Sequence, residues 1–250
     1  MTASKWQGMR LLGFDTETTG TDVYNDRIVT VALVDIAYGV RPTVRTWLAN
    51  PGIDIPAEAT NVHGITTEHA AEHGAPPEIV LHEVTGRLAL ALQHNIPIVA
   101  FNAAFDLTLL EQENQRYGVP TLMERRRSVN GQIAPVIDPR VLDKYAHPFR
   151  KGGRTLVDVC RPYGVVHTGA HAADGDALAA CRLVPKILDR HARKFVGQTV
   201  DGLHQSQIGW AKAQADGLRE YFDKNNKPHD GVDPGWPLYV GVRRPVGGAS

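Results

Sequence analysis

The stretch GFDTETTG, Gly13–Gly20, closes a short apolar run that begins at Arg10. Arg10–Phe14 reads as a β-strand entering a core, and side chains along a strand alternate between its two faces. Asp15 and Glu17, two positions apart, therefore project from the same face. Neighbouring like charges repel, and burying either one unpaired costs roughly several kcal/mol. No Lys or Arg lies within the stretch, so the balancing charge must come from elsewhere.

The whole chain narrows the choices. Its 250 residues, 42% of them hydrophobic, suit one large domain or one compact domain with an accessory segment. Lys and Arg together equal Asp and Glu in number, which argues against a protein that coats nucleic acid or membrane surfaces. Cys160 and Cys181, the only cysteines, read as buried thiols of a reduced, cytoplasmic protein rather than a disulfide. No apolar run approaches the roughly 20 residues that span a bilayer, and MTASKWQGMR lacks the apolar centre of a signal peptide. Charge is nevertheless uneven. Residues 52–83 hold six acids and no Lys or Arg, a solvated face, whereas residues 124–154 carry eight basic and three acidic residues. The basic stretch could serve an anionic substrate.

Further strands are expected at Arg27–Ile36, Thr43–Leu48, Ile96–Phe101 and Pro135–Asp138. Helices are expected at Pro76–His94, with Ile79, Val80, Val84, Leu88 and Leu92 inward, and at Ala103–Tyr117, Arg140–Tyr145, Thr155–Tyr163 and Ala172–Phe195. Three consecutive strands followed by helices alternating with short buried strands imply an α/β fold, a mixed five-stranded sheet flanked by helices. Residues 8–195 would form this domain. Residues 196–250 would add a helix near Gly202–Lys224 and an extended Pro- and Gly-rich tail, an appendage ordered only where it docks.

Two more acids fall where such a fold places a cleft. Asp106 follows a buried strand in AFNAAFD, and Asp176 opens the last long helix in HAADGDALAA, five residues after His171. Helix N-termini favour anions by only about 0.3–1 kcal/mol, too little to hold four carboxylates together. Oxygen-only ligands select hard cations such as Mg²⁺ or Mn²⁺, and paired divalent ions are the usual engine of phosphodiester hydrolysis. The missing counter-charge would then be metal. His171, on a loop ahead of the helix, could reach over the ions as a general base titrating near neutrality.

The set and order of these residues resemble the DEDDh exonuclease family, whose members have a ribonuclease H-like fold and include the proofreading subunit of bacterial DNA polymerase III. The matching positions are Asp15 and Glu17 in FDTETTG, Asp106 in AFNAAFD, and His171 with Asp176 in HAADGDALAA; NVHGIT, Asn61–Thr66, matches a family segment between the first two motifs. The resemblance spans about Arg10–Phe195. It implies removal of nucleotides one at a time from a 3′ end, releasing 5′-monophosphates; a neutral chain with a local basic patch suits single-stranded ends, and DNA is expected in preference to RNA. By the same resemblance Asp15, Glu17, Asp106 and Asp176 would hold two Mg²⁺ or Mn²⁺ ions and His171 would deprotonate the attacking water. Thr18, Thr19, His63 and Asn102 would line the nucleotide pocket. Phe101 stands where many relatives carry a His.

Lys151 and Arg154 flank a Gly pair inside the basic stretch and are candidates for substrate phosphates. Arg125–Arg127 and Asp174 read as solvent-facing or capping residues. Gln205–Ala211, QSQIGWA, faintly resembles Gln-led motifs that bind sliding clamps, although an amphipathic helix packing through Ile208, Leu218 and Phe222 accounts for it more simply. A DNA polymerase or a clamp is the implied protein partner. Two rivals remain: an RNA-directed enzyme of the same family, and a non-catalytic docking subunit of a replication or repair assembly.

Overall fold

A computed structural model describes residues 6, 8–126, 132–167, 172–229 and 231–241. Five strands, β1 (Leu11–Thr18), β2 (Ile28–Ile36), β3 (Thr43–Leu48), β4 (Ile98–Val99) and β5 (Val136–Ile137), form one sheet in the order β3-β2-β1-β4-β5. β1–β2 and β2–β3 pair antiparallel, while β1–β4 and β4–β5 pair parallel. The mixed five-stranded sheet is the one anticipated. β1 runs further than anticipated, because pairing with β2 continues through Asp15↔Ala32 and Glu17↔Thr30 before an irregularity at Thr18.

Alternation along β1 sorts its side chains. Leu12 and Phe14 enter a core shared with α3 (Pro77–Gln93) and α4 (Ala103–Arg116). Gly13, Asp15 and Glu17 fall on the opposite face, against which α8 (Ala173–Arg190) is laid. Ala32 and Val34 of β2 meet Ala173 and Ala177 of α8 there. A second core joins Val99 and Ile137 to α8, α6 (Pro139–Ala146) and α7 (Leu156–Tyr163). Cys160 and Cys181 are free thiols buried in this core, and burial pushes the Cys160 thiol up to about 11.

Some elements escape the periodicity. α1 (Ala57–His63) and α2 (Thr67–His73) are seven residues each, bounded by the left-handed Gly64 and by Thr66, whose hydroxyl accepts from the His69 N–H. α5 (Leu122–Arg126) has five residues. Ile79 points outward from α3. Arg126, anticipated as solvated, is buried, and Arg125 donates to the Pro120 carbonyl; Arg127 lies outside the described residues.

α9 (Val200–Lys224) packs differently from the expectation. Ile208 and Leu218 are exposed, and the buried face is Leu203, His204, Gln207 and Ala215. The reason is polar. Gln207 accepts from the Asp138 N–H at 2.8 Å and donates to the Val136 carbonyl at 3.1 Å, while His204 Nδ1 accepts from the Val136 N–H at 3.1 Å. Side chains of α9 thus complete the hydrogen bonding of β5 in place of a sixth strand. Trp210 stacks on Tyr145 with ring centroids 3.8 Å apart, and Trp236 joins the first core.

Candidate active site

Four carboxylates converge at one end of β1. Asp15 and Glu17 come from the strand, Asp106 from the first turn of α4 and Asp176 from the first turn of α8. Gly13 allows α8 to come this close: a Cβ at that position would sit 2.7 Å from the Ala177 carbonyl oxygen and 2.9 Å from Cys181 Sγ. α4 is fixed from the other side. Asp106 Oδ1 accepts from the Thr16 amide at 3.1 Å and from its hydroxyl at 2.7 Å.

The electrostatics show the strain that β1 implied. Asp15 is held well above the usual carboxylate range, first by burial and then by Asp106, Asp176 and Glu17. Burial, with Asp176 and Asp106 beside it, raises Glu17 to about 7. Asp106 also rises to about 7, burial outweighing its bonds from Thr16. Among the described residues no Lys or Arg pairs with any of the four. The basic partner among these residues is His167, whose Nε2 lies 2.5 Å from Asp176 Oδ1. Among the described residues no three His, Cys, Asp or Glu side chains converge tightly enough to enclose one ion. The donor chemistry still fits a hard divalent cation, with carboxylate oxygens from three elements and a surplus of negative charge.

His171 lies outside the described residues. His167, four positions earlier, carries no sequence signal of its own; its side chain is only 7% exposed, which suits a positioning role for Asp176 rather than proton transfer with bulk water. His63 shares a cleft with Glu17 and Asp174. Its Nδ1 accepts from the Ile65 N–H, so the neutral ring carries its proton on Nε2, a buried atom. Burial pushes its pKa down against the pull of the nearby Thr18 carbonyl, which favours that neutral form.

Thr18 and Thr19 are engaged locally: the Thr18 hydroxyl donates to the Gly20 carbonyl, and Thr19 donates to Asp26. Asn102 occupies a left-handed conformation at φ 71° ahead of α4, and its Oδ1 accepts from Arg140 at 2.7 Å. Beneath it the buried Asp138 accepts from the Asn102 and Ala103 amides at the start of α4 and from the Arg140 amide at the start of α6. Asp138 thereby anchors the helix that carries Asp106, and Gln207 of α9 holds Asp138 in turn. Arg154 is drawn into the fold by the fully buried Asp143 and by the His147 and Pro148 carbonyls. Lys151 is exposed.

Comparison with known proteins adds the family. Residues 12–184 match a protein-family model described as Exonuclease. The chain belongs to the exonuclease family. It is 39% identical over 191 residues to a DNA polymerase III subunit epsilon-like protein of Rhodobacter capsulatus, covering 73% of this chain and 25% of that protein. It is 29% identical over 183 residues to the PolC-type DNA polymerase III of Bacillus subtilis, covering 73% of this chain and 12% of the relative. The chain thus spans a quarter or less of these relatives' length. Among solved structures, E. coli Exonuclease I in complex with a dT13 oligonucleotide superposes with a TM-score of 0.60 at 18% identity, over 75% of this chain and 42% of that one. The shared fold is ribonuclease H-like. This exonuclease-family chain carries its acids within the matched segment, whereas α9 lies beyond it.

Proposed function

We propose that this exonuclease-family chain is a two-metal-ion 3′-to-5′ exonuclease that trims single-stranded ends, DNA in preference to RNA, and releases 5′-monophosphates. One observation carries the reading: Asp15, Glu17, Asp106 and Asp176 crowd together, the first three with raised proton affinity, and among the described residues no Lys or Arg balances them. An enzyme pays that electrostatic cost where divalent cations neutralise it. The four acids would hold Mg²⁺ or Mn²⁺, which when bound would activate a water and stabilise the departing oxygen.

The chain's own residues supply the remainder. His167 orients the Asp176 carboxylate, and Thr16 orients that of Asp106. His63, neutral, lines the cleft beside Glu17, where its ring would pack against the terminal nucleotide. Asn102, set by Arg140, and the turn at Thr18 and Thr19 shape the rest of the pocket. His171 takes the proton of the attacking water. The resemblance to polymerase III subunits supports a DNA polymerase as partner. A clamp meeting Gln205–Ala211 would reach Gln205 and Ile208 on the surface, since Gln207 and Trp210 are engaged internally.

The test is hydrolysis of matched 5′-labelled single-stranded DNA, duplex DNA and RNA with Mg²⁺ or Mn²⁺, resolved nucleotide by nucleotide. The expected result is a ladder shortening from the 3′ end, fastest on single-stranded DNA, and near-total loss in Asp15→Ala. Intact 3′ ends on both DNA and RNA would refute the proposal.

A further inference from the structure

The family match ends at residue 184, yet the chain beyond it forms one wall of a cavity that opens at the start of the helix carrying Asp106. This cavity, about 390 Å³, lies between α6 and the start of α4 on one side and α9 with residues 231–239 on the other. Three cations line it, Arg140, Lys144 and Arg154, with two carboxylates, Asp138 and Asp233, both accepting from backbone amides. Arg154 is held by Asp143, but Arg140 is exposed and gives one N–H to Asn102, and Lys144 is half-buried. After burial, the main influences lowering the Lys144 pKa are Arg154 and Arg140, so positive charge is crowded here.

The C-terminal wall is aromatic. Gly235 makes the turn that seats it: a Cβ would lie 2.4 Å from the Leu238 carbonyl oxygen and 2.7 Å from the Val240 nitrogen. The turn is pinned by Asp233, which accepts from the Gly235 and Val240 amides, and by the Tyr239 amide, which donates to Thr108 on α4. Trp236, 7% exposed, lines the cavity, and its indole Nε1–H is buried with no hydrogen-bond partner. Tyr239 also lines the cavity and stands within electrostatic reach of Asp106, Asp138 and Arg140.

We infer that this cavity is a strand-binding subsite: Arg140 and Lys144 take the backbone phosphates of the nucleotides leading up to the scissile end, while Trp236 and Tyr239 meet their bases or sugars. The inference rests on the exonuclease reading of the acid cluster and extends it to a wall, with Trp236 and Tyr239, that the family segment does not contain. Crowded cations next to an acid cluster call for a ligand that is anionic along its length, as a single strand is. Aromatic faces accept bases of any sequence. An unpaired indole N–H supplies one further donor to an oxygen-rich ligand.

The experiment measures anisotropy of 5′-fluorescein decathymidylate on the full chain in EDTA, together with the ratio of kcat/KM for decathymidylate over dithymidylate in Mn²⁺. For Lys144→Ala and Lys144→Glu we expect weaker binding, about tenfold for the reversal. The salt dependence of log Kd should become shallower by about 0.7 for each phosphate that the variant no longer neutralises. The length ratio should fall in parallel. Trp236→Phe, which keeps the ring but removes the N–H, should also lower that ratio. Unchanged binding in the Lys144 variants, or an equal loss on both lengths, would overturn the inference. Sensitive binding without any hydrolysis would instead retain the subsite and defeat the exonuclease reading.

Discussion

Replacing Asp106 by Asn should stabilise the metal-free protein at alkaline pH while abolishing turnover. The Asn carbonyl oxygen can still accept from the Thr16 amide and hydroxyl, so the geometry that seats α4 is kept. What disappears is an ionisation that the fold opposes. Burial lifts the Asp106 carboxyl from 3.8 to about 7, and at about 1.4 kcal/mol per unit the full penalty is on the order of 4 kcal/mol. Because the folded-state pKa is the higher one, the folded protein binds more protons between these values, and stability falls as pH rises through that window. Roughly 2–3 kcal/mol of the loss falls between pH 5 and pH 8. Thermal unfolding in EDTA at both pH values should show Asp106→Asn gaining on the unsubstituted protein at pH 8, by on the order of 5–10 °C relative to the gap at pH 5. Mg²⁺ or Mn²⁺ at pH 8 should raise the melting temperature of the unsubstituted protein and do much less for the variant. A gap that stays constant with pH, or an Asn variant that melts lower at pH 8 in EDTA, would refute the picture of four carboxylates held against their repulsion.

The other predictions concern the supports of the cluster. Gly13→Ala places a methyl against a backbone carbonyl that cannot yield, so it should cost about 1–3 kcal/mol and displace α8. Activity assays should therefore show a larger proportional loss than melting does. Gln207→Ala strips partners from the Asp138 amide and the Val136 carbonyl, and differential scanning should record a loss of about 1–3 kcal/mol for each buried group left bare. His167→Ala frees Asp176 from its tether; titration calorimetry with Mn²⁺ should find affinity weakened about 10–100-fold, and unchanged affinity would remove His167 from the site.

How far such a site can be read from residues alone depends on where its signal resides. Asp15 and Glu17 are legible because a period of two and an absent cation are local facts, and Asp106 and Asp176 follow from helix starts beside apolar runs. α1 and α2 are too short to display a period, and their limits are set by a left-handed glycine and a threonine cap. α9 is the instructive miss. Counting apolar positions selects Ile208 and Leu218, whereas the buried side is led by Leu203 and the polar Gln207 and His204. Burial of an amide or an imidazole is decided by a partner, and the partner here is the backbone of β5, nearly seventy residues earlier. His167 and Asp138 escape a sequence reading on the same grounds: each matters only through a group that folding brings to it.

The fork that Gln207 and His204 direct at β5 has a consequence for how this protein can be cut. A fragment ending near residue 195, where the sequence pattern changes, would keep every acid yet lose both side chains. Val136 would then offer a bare N–H and C=O on a short parallel strand, and a second molecule could supply what α9 had supplied. Such a fragment is expected to pair edge to edge and leave solution. Its failure would say nothing about the chemistry of the acids, only that solubility resides in a helix outside the family segment.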